Sequence, residues 1–150
     1  MNGQKTTQMD GPPRDIHERS FRFAIRIVHL CHFLDARLGV ARTIANQVLR
    51  SGTSVGANLE EANAGESRAD FIHKVAIALK EARETAFWLR LLAASGTVEI
   101  SRLTELQAEA EEIKKVLAAI VLSAKRRRAA GLVLGGGLAS LAFFIFHFAF

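Results

Sequence analysis

Proline, tyrosine and cysteine are nearly missing from this chain. Its two prolines are Pro12 and Pro13, so nothing after residue 13 carries a proline break. Tyrosine is absent, and no stretch sustains period-two alternation, which argues against a sheet. The single cysteine, Cys31, excludes an intrachain disulfide and fits a reducing compartment. Within an apolar helix it reads as a buried, inert thiol. Patterns that carry chemistry are missing too. A carboxylate-bridged di-metal site in a helical bundle needs Glu-x-x-His motifs, and there is none. Asp70-Phe71-Ile72-His73 is a lone near-match at a helix start, and His17, His29, His32, His73 and His147 are scattered. Gly52-Thr53-Ser54-Val55-Gly56 matches the letters of a nucleophile elbow, but that motif needs a strand before it and the flanks here are helical. No Gly-Lys-Ser/Thr phosphate loop follows a strand. These absences point away from an enzyme, and no cofactor and no metal are expected.

What is present is helix. The chain has 150 residues, the size of one domain. Residues 1–14 are polar, contain Gly11-Pro12-Pro13 and lack the apolar centre of a signal peptide, so they read as a disordered arm of a cytoplasmic protein. Four amphipathic segments follow over 15–128. The first runs from about Asp15 to Arg37, with an apolar stripe of Phe21, Ala24, Ile25, Val28, Cys31, Leu34 and Leu38. The second spans Val40 to Asn63 and ends at Gly65, read as a C-cap. The third, Arg68 to Ala94, has Ser67 as N-cap and Asp70 at the positive end of its dipole. Ser101 is expected to cap the fourth, whose acids precede its bases as the dipole favours.

Ser51 to Ser54 reads locally as a loop, but Ile44, Val48, Leu49, Gly52, Val55, Gly56, Leu59 and Ala62 keep helical phase through it. The phase predicts a continuous helix with Gly52 and Gly56 at a close helix crossing; a helix–loop–helix is the rival. Four stripes joined by short connections predict an all-α, antiparallel up-down-up-down four-helix bundle. An extra hydrophobic segment, 129–150, contains no Asp, Glu, Lys or Arg. About 20 apolar residues span a bilayer, so this tail is a candidate membrane anchor that would leave the bundle in the cytoplasm. A disordered tail and an accidental extension are the alternatives.

The stretch RSGTSVGANLEEANAGESRADFIHKVAIALKEARETAFWLRLL, Arg50 to Leu92, resembles the small bacterial "four helix bundle protein" family, which includes proteins encoded in intervening sequences of 23S ribosomal RNA genes. It is similar in fold to the accessory variability protein of diversity-generating retroelements. The resemblance covers roughly Asp15 to Arg127. It implies a bundle that assembles into a ring, a homopentamer, with no established enzymatic activity. For the retroelement relatives it implies a basic surface that binds RNA and a reverse transcriptase. The polar segment that is the family's signature falls on Ser54, Asn58 and Glu61, with Glu81 and Glu84 on the next helix. These five are expected to form an interhelix or intersubunit hydrogen-bond cluster; an exposed set with no mutual bonds is the alternative.

Two functions follow as expectations. The first is a non-enzymatic homo-oligomeric scaffold, with Phe87 and Trp88 as core or interface aromatics. The second is an RNA-binding accessory protein. Twenty basic against fifteen acidic residues give +5, which admits a polyanion or an anionic membrane surface and requires neither. Its nucleic-acid contacts would be Arg19, Arg22 and Arg26 on the first helix and Lys125, Arg126, Arg127 and Arg128 at the end of the last. A solvated face that keeps the bundle soluble is the plain reading of that first row.

Overall fold

The computed structural model describes residues 15–37 and 39–147, with side chains through Arg126. It has four helices: α1 (Ile16–Asp35), α2 (Val40–Asn63), α3 (Arg68–Ala94) and α4 (Ile100–His147). No strand occurs among the described residues. Each helix packs on its chain neighbour and α4 returns to α1, while the backbones of α1 and α3 do not approach each other. The four therefore stand at the corners of a square, as an up-down-up-down bundle requires. The arm 1–14, Leu38 and the side chains of the tail 129–150 lie outside the described residues. Among the described residues no helix is long and apolar enough to cross a membrane.

Local chemistry sets the ends. Asp15 Oδ1 accepts from the His17 N–H at 3.1 Å, and Ser67 Oγ accepts from the Asp70 N–H at 3.1 Å, each relieving an orphan donor. The Ser101 cap does not form. α4 starts at Ile100, so Ser101 lies inside its first turn, and the Ser101 hydroxyl donates to Glu99 Oε1 at 2.7 Å. Gly65 follows α2 without a left-handed backbone; among the described residues the glycines with positive φ are Gly39 (80°) and Gly96 (66°), in the α1–α2 and α3–α4 turns.

The core is a stack of fully buried aliphatic and aromatic side chains: Phe23, Ile27 and Leu34 of α1, Val48, Val55 and Leu59 of α2, Val75, Leu89 and Leu92 of α3, Leu103, Ile113 and Leu117 of α4. Each such burial contributes roughly 1.5–3 kcal/mol relative to exposure. For α1 this corrects the expected stripe. Cys31 and Leu34 are inside, but Phe21 is 57% exposed and Ile25 39%. Apolar residues cover more than half the circumference of α1, so periodicity alone admits two overlapping stripes. The face through Ser20, Phe23 and Ile27 wins because it meshes with the glycines of α2.

Candidate functional site

The organising element is α2, unbroken from Val40 to Asn63, and its consecutive residues Ser51 and Gly52 face opposite neighbours. Gly52 is buried against α1. A Cβ placed there would lie 2.8 Å from Ile27 Cγ1 and 2.9 Å from Cγ2, closer than side-chain carbons approach. Gly56, one turn on, is looser: its Cβ would meet Ser20 Oγ at 3.6 Å, an ordinary contact. The close crossing expected of both glycines thus belongs to Gly52. Further along the same contact, the Cys31 thiol lies 3.3 Å from the Ala45 carbonyl, and its burial pushes its pKa up to about 11.

Ser51 faces α3. Its hydroxyl donates to the Gln47 carbonyl at 2.9 Å and lies 3.0 Å from the Thr85 hydroxyl, which reaches the Glu81 carbonyl at 2.8 Å. Both side chains are fully buried, so the pair is the interior polar contact between α2 and α3. The polar set expected from the sequence is arranged differently. Asn58 Nδ2 donates to the Ser54 carbonyl at 2.8 Å, within its own helix. Glu61 pairs across the helices with Lys74. Arg50 stands between Glu81, at 3.7 Å, and Glu84, with which it makes a close pair. Glu84 also accepts from Trp88 Nε1 at 3.2 Å. The acids on the two helices are thus not joined to one another: Lys74 of α3 pairs with Glu61 of α2, and Arg50 of α2 with Glu81 and Glu84 of α3, each a cation–carboxylate pair across the two helices. Glu81 Oε2 is buried and accepts no hydrogen bond.

Thr85 and Ser51 escaped the sequence reading because a lone hydroxyl on an apolar stripe looks like a tolerated substitution. The available signal was phase: both fall at core positions, Thr85 between Ala82 and Leu89, Ser51 between Val48 and Val55.

Trp88 is half-buried and Phe87 is 53% exposed, their rings T-shaped at 5.0 Å. Phe87 and Leu91 flank an open groove of about 190 Å³ together with Arg90 and Ala94 on the outer face of α3.

The cationic row of α1 is largely occupied by acids. Arg19 makes a bidentate pair with Glu109 of α4 at 2.6 and 2.9 Å, and that carboxylate holds the guanidinium pKa above its usual value. Arg22 pairs with Glu18 at 2.8 Å and Arg26 with Glu105 of α4 at 3.3 Å. Lys125 and Arg126 are exposed, while the side chains of Arg127 and Arg128 lie outside the described residues. His29, His32 and His73 are exposed, and His17 Nδ1 lies 3.7 Å from Glu60. Among the described residues no three His, Cys, Asp or Glu side chains converge on a metal position.

A bundle of this order, with its α2–α3 hairpin carrying Gly52, Arg50 and the acidic set, matches a known family over residues 14–119, the 23S rRNA-intervening sequence proteins. The chain belongs to that family. A crystal structure is similar to it, that of a protein of unknown function from the S23 ribosomal protein family of Bacteroides thetaiotaomicron. That protein is 42% identical, with a TM-score of 0.67 over 71% of this chain and 98% of the other. No curated protein matches the chain.

Proposed function

We propose that this member of the 23S rRNA-intervening sequence protein family is a non-enzymatic scaffold whose copies join through two different apolar faces. The observation that carries the reading is the placement of its exposed large side chains. Phe87 and Leu91 lie on the outer face of α3, at 53% and 36% exposure, and Phe21 and Ile25 on the outer face of α1, at 57% and 39%. Single exposed apolar residues are ordinary, but pairs one turn apart on one helix form patches suited to a partner. Because α1 and α3 occupy diagonal corners, the two patches point in opposite directions. A contact between unlike patches is heterologous, and such contacts close into a ring when the rotation permits. A ring of five is the size the family resemblance supplies.

Light scattering on the full chain and on residues 1–128 at tens of micromolar tests the assembly, and a clean monomer in both defeats it. Phe21→Asp and Phe87→Asp should each break the ring. Mixed together, they should form a heterodimer, because one intact α1 face meets one intact α3 face. A self-complementary interface would give no such rescue.

The RNA-binding alternative is weakened by the acids that occupy Arg19, Arg22 and Arg26, and rests on the cluster from Lys125 onward. Binding through phosphates would fall steeply with added salt, whereas the apolar contact proposed here would change little. We place the bundle in the cytoplasm. Carbonate extraction of the full chain beside residues 1–128 decides whether 129–150 anchors it to a membrane.

A further inference from the structure

The α1–α4 seam is bridged by polar side chains at three heights: Arg19 to Glu109, Arg26 to Glu105, and Arg37 to the Thr97 carbonyl at 2.5 Å. In its upper half it opens into a groove of about 390 Å³. The floor is aliphatic, made by Leu30, Val98 and Leu106; the rim carries Arg26, paired with Glu105, His29 and Arg102. Phe33 lies on the same wall and holds two guanidiniums, Arg37 Cζ at 4.7 Å from the ring centroid and Arg102 Cζ at 5.2 Å. Among the described residues neither Arg37 nor Arg102 has a carboxylate within salt-bridge reach, unlike Arg19 and Arg26 below them. One ring therefore holds two like charges that lack a counter-ion. Arg102 lines the groove, and Arg37, whose Nη1 donates to the Thr97 carbonyl, stands beside it on the same ring.

We propose that this groove docks a short segment of a protein partner in which an apolar side chain is flanked by Asp or Glu. Small-molecule and peptide-anchor pockets hold about 300–1,000 Å³, so one large apolar side chain fits here. Fixed guanidiniums fork carboxylates bidentately, and attraction to the aromatic ring lowers the entropy lost on binding. A single-stranded nucleic acid fits less well. Its bases need free aromatic faces, and the one ring in this groove already carries two arginines. The proposal goes beyond self-assembly, because the groove uses the α4-facing side of α1, while Phe21 and Ile25 sit on its outer side and Phe87 and Leu91 on α3.

The test uses the full chain and a fluorescein-labelled peptide alternating Glu or Asp with Leu and Phe. Controls are the same peptide with Lys in place of the acids and a labelled single-stranded RNA of equal length. Fluorescence anisotropy should show saturable binding of the acidic peptide alone. Arg102→Glu and Arg37→Glu should each weaken it several-fold, since each puts a charge of the peptide's own sign beside the groove. Arg102→Gln, which removes the charge without reversing it, should give a smaller loss in the same direction. Light scattering on these variants should be unchanged, and the Phe87→Asp variant should still bind the peptide, so docking and assembly are judged separately. Absence of saturation, equal binding of the Lys peptide, indifference to Arg102→Gln and Arg37→Glu, or tighter binding of the RNA through the same arginines would each overturn the proposal.

Discussion

Gly52→Ala and Gly56→Ala are the same chemical change, one turn apart on one helix, and should act in opposite directions. Replacing a helical glycine with alanine relieves a backbone entropy cost of about 1 kcal/mol. At Gly56 nothing opposes that gain, since the new methyl would touch Ser20 at 3.6 to 3.9 Å. Gly56→Ala should therefore stabilise the bundle by up to about 1 kcal/mol. At Gly52 the methyl would sit 2.8 and 2.9 Å from the two γ carbons of Ile27, a fully buried side chain with one favoured rotamer in a helix. Either Ile27 or the α1–α2 spacing must yield by more than half an ångström, and such overpacking costs about 1–3 kcal/mol. The net effect at Gly52 is a loss of roughly 0–2 kcal/mol. Urea titrations followed by circular dichroism, at one fixed protein concentration so that the proposed assembly would weigh equally on each variant, would measure both. A double-mutant cycle sharpens the claim. Ile27→Ala alone should cost about 2–5 kcal/mol, and on that background Gly52→Ala should become stabilising, because its methyl then fills the space Ile27 vacates. If Gly52→Ala stabilises as much as Gly56→Ala in the unaltered chain, the close crossing does not exist.

The buried hydroxyl pair makes a second case. Thr85→Val keeps shape but deletes the contacts to Ser51 Oγ and the Glu81 carbonyl, and should lower stability by about 1 kcal/mol; a neutral or stabilising result in the same titration would show that the pair adds only packing. Cys31, with its pKa raised to about 11 by burial, gives a third. The raised folded value means that its stabilising contribution is intact below the ordinary thiol value of 9.0 and is lost as pH climbs towards 11. Cys31→Ser should flatten the fall in stability over that alkaline window, and native protein at pH 8 should resist iodoacetamide until denaturant opens the core. Rapid native alkylation would place the thiol at the surface.

Most of the fold was legible because its signals are redundant. α2 and α3 have the bounds that phase and capping predict, and the helix passes through Ser51 to Ser54 despite local loop propensity. There the apolar face stays in register over several turns, and burying it outweighs two glycines. The phase of α1 was not legible. Phe21, Ile25 and Val28 make as good a stripe as Phe23, Ile27 and Leu34, and one-dimensional periodicity has no means of ranking them. What ranks them is the shape of α2: the bulk of Ile27 fits where Gly52 has no side chain, and Phe21 has no such recess.

The candidate surfaces were less legible for a related reason. A row of arginines looks the same in sequence whether it meets phosphate or carboxylate, and the distinction lies in residues about ninety positions away. Arg19 and Glu109 are unremarkable separately; α4 brings them together at 2.6 Å, so a row that could have been a solvated face or a phosphate stripe is in part a clasp between helices. The same pairing leaves Arg37 and Arg102 as arginines of that seam without a carboxylate among the described residues. An arginine answered by a carboxylate within the bundle holds the fold together; Arg102, which lines an apolar floor without one, is the residue we propose a partner uses. Charge reversal separates the two roles: at Arg19 it should act on stability with the bundle alone, and at Arg102 on peptide affinity with stability nearly unchanged.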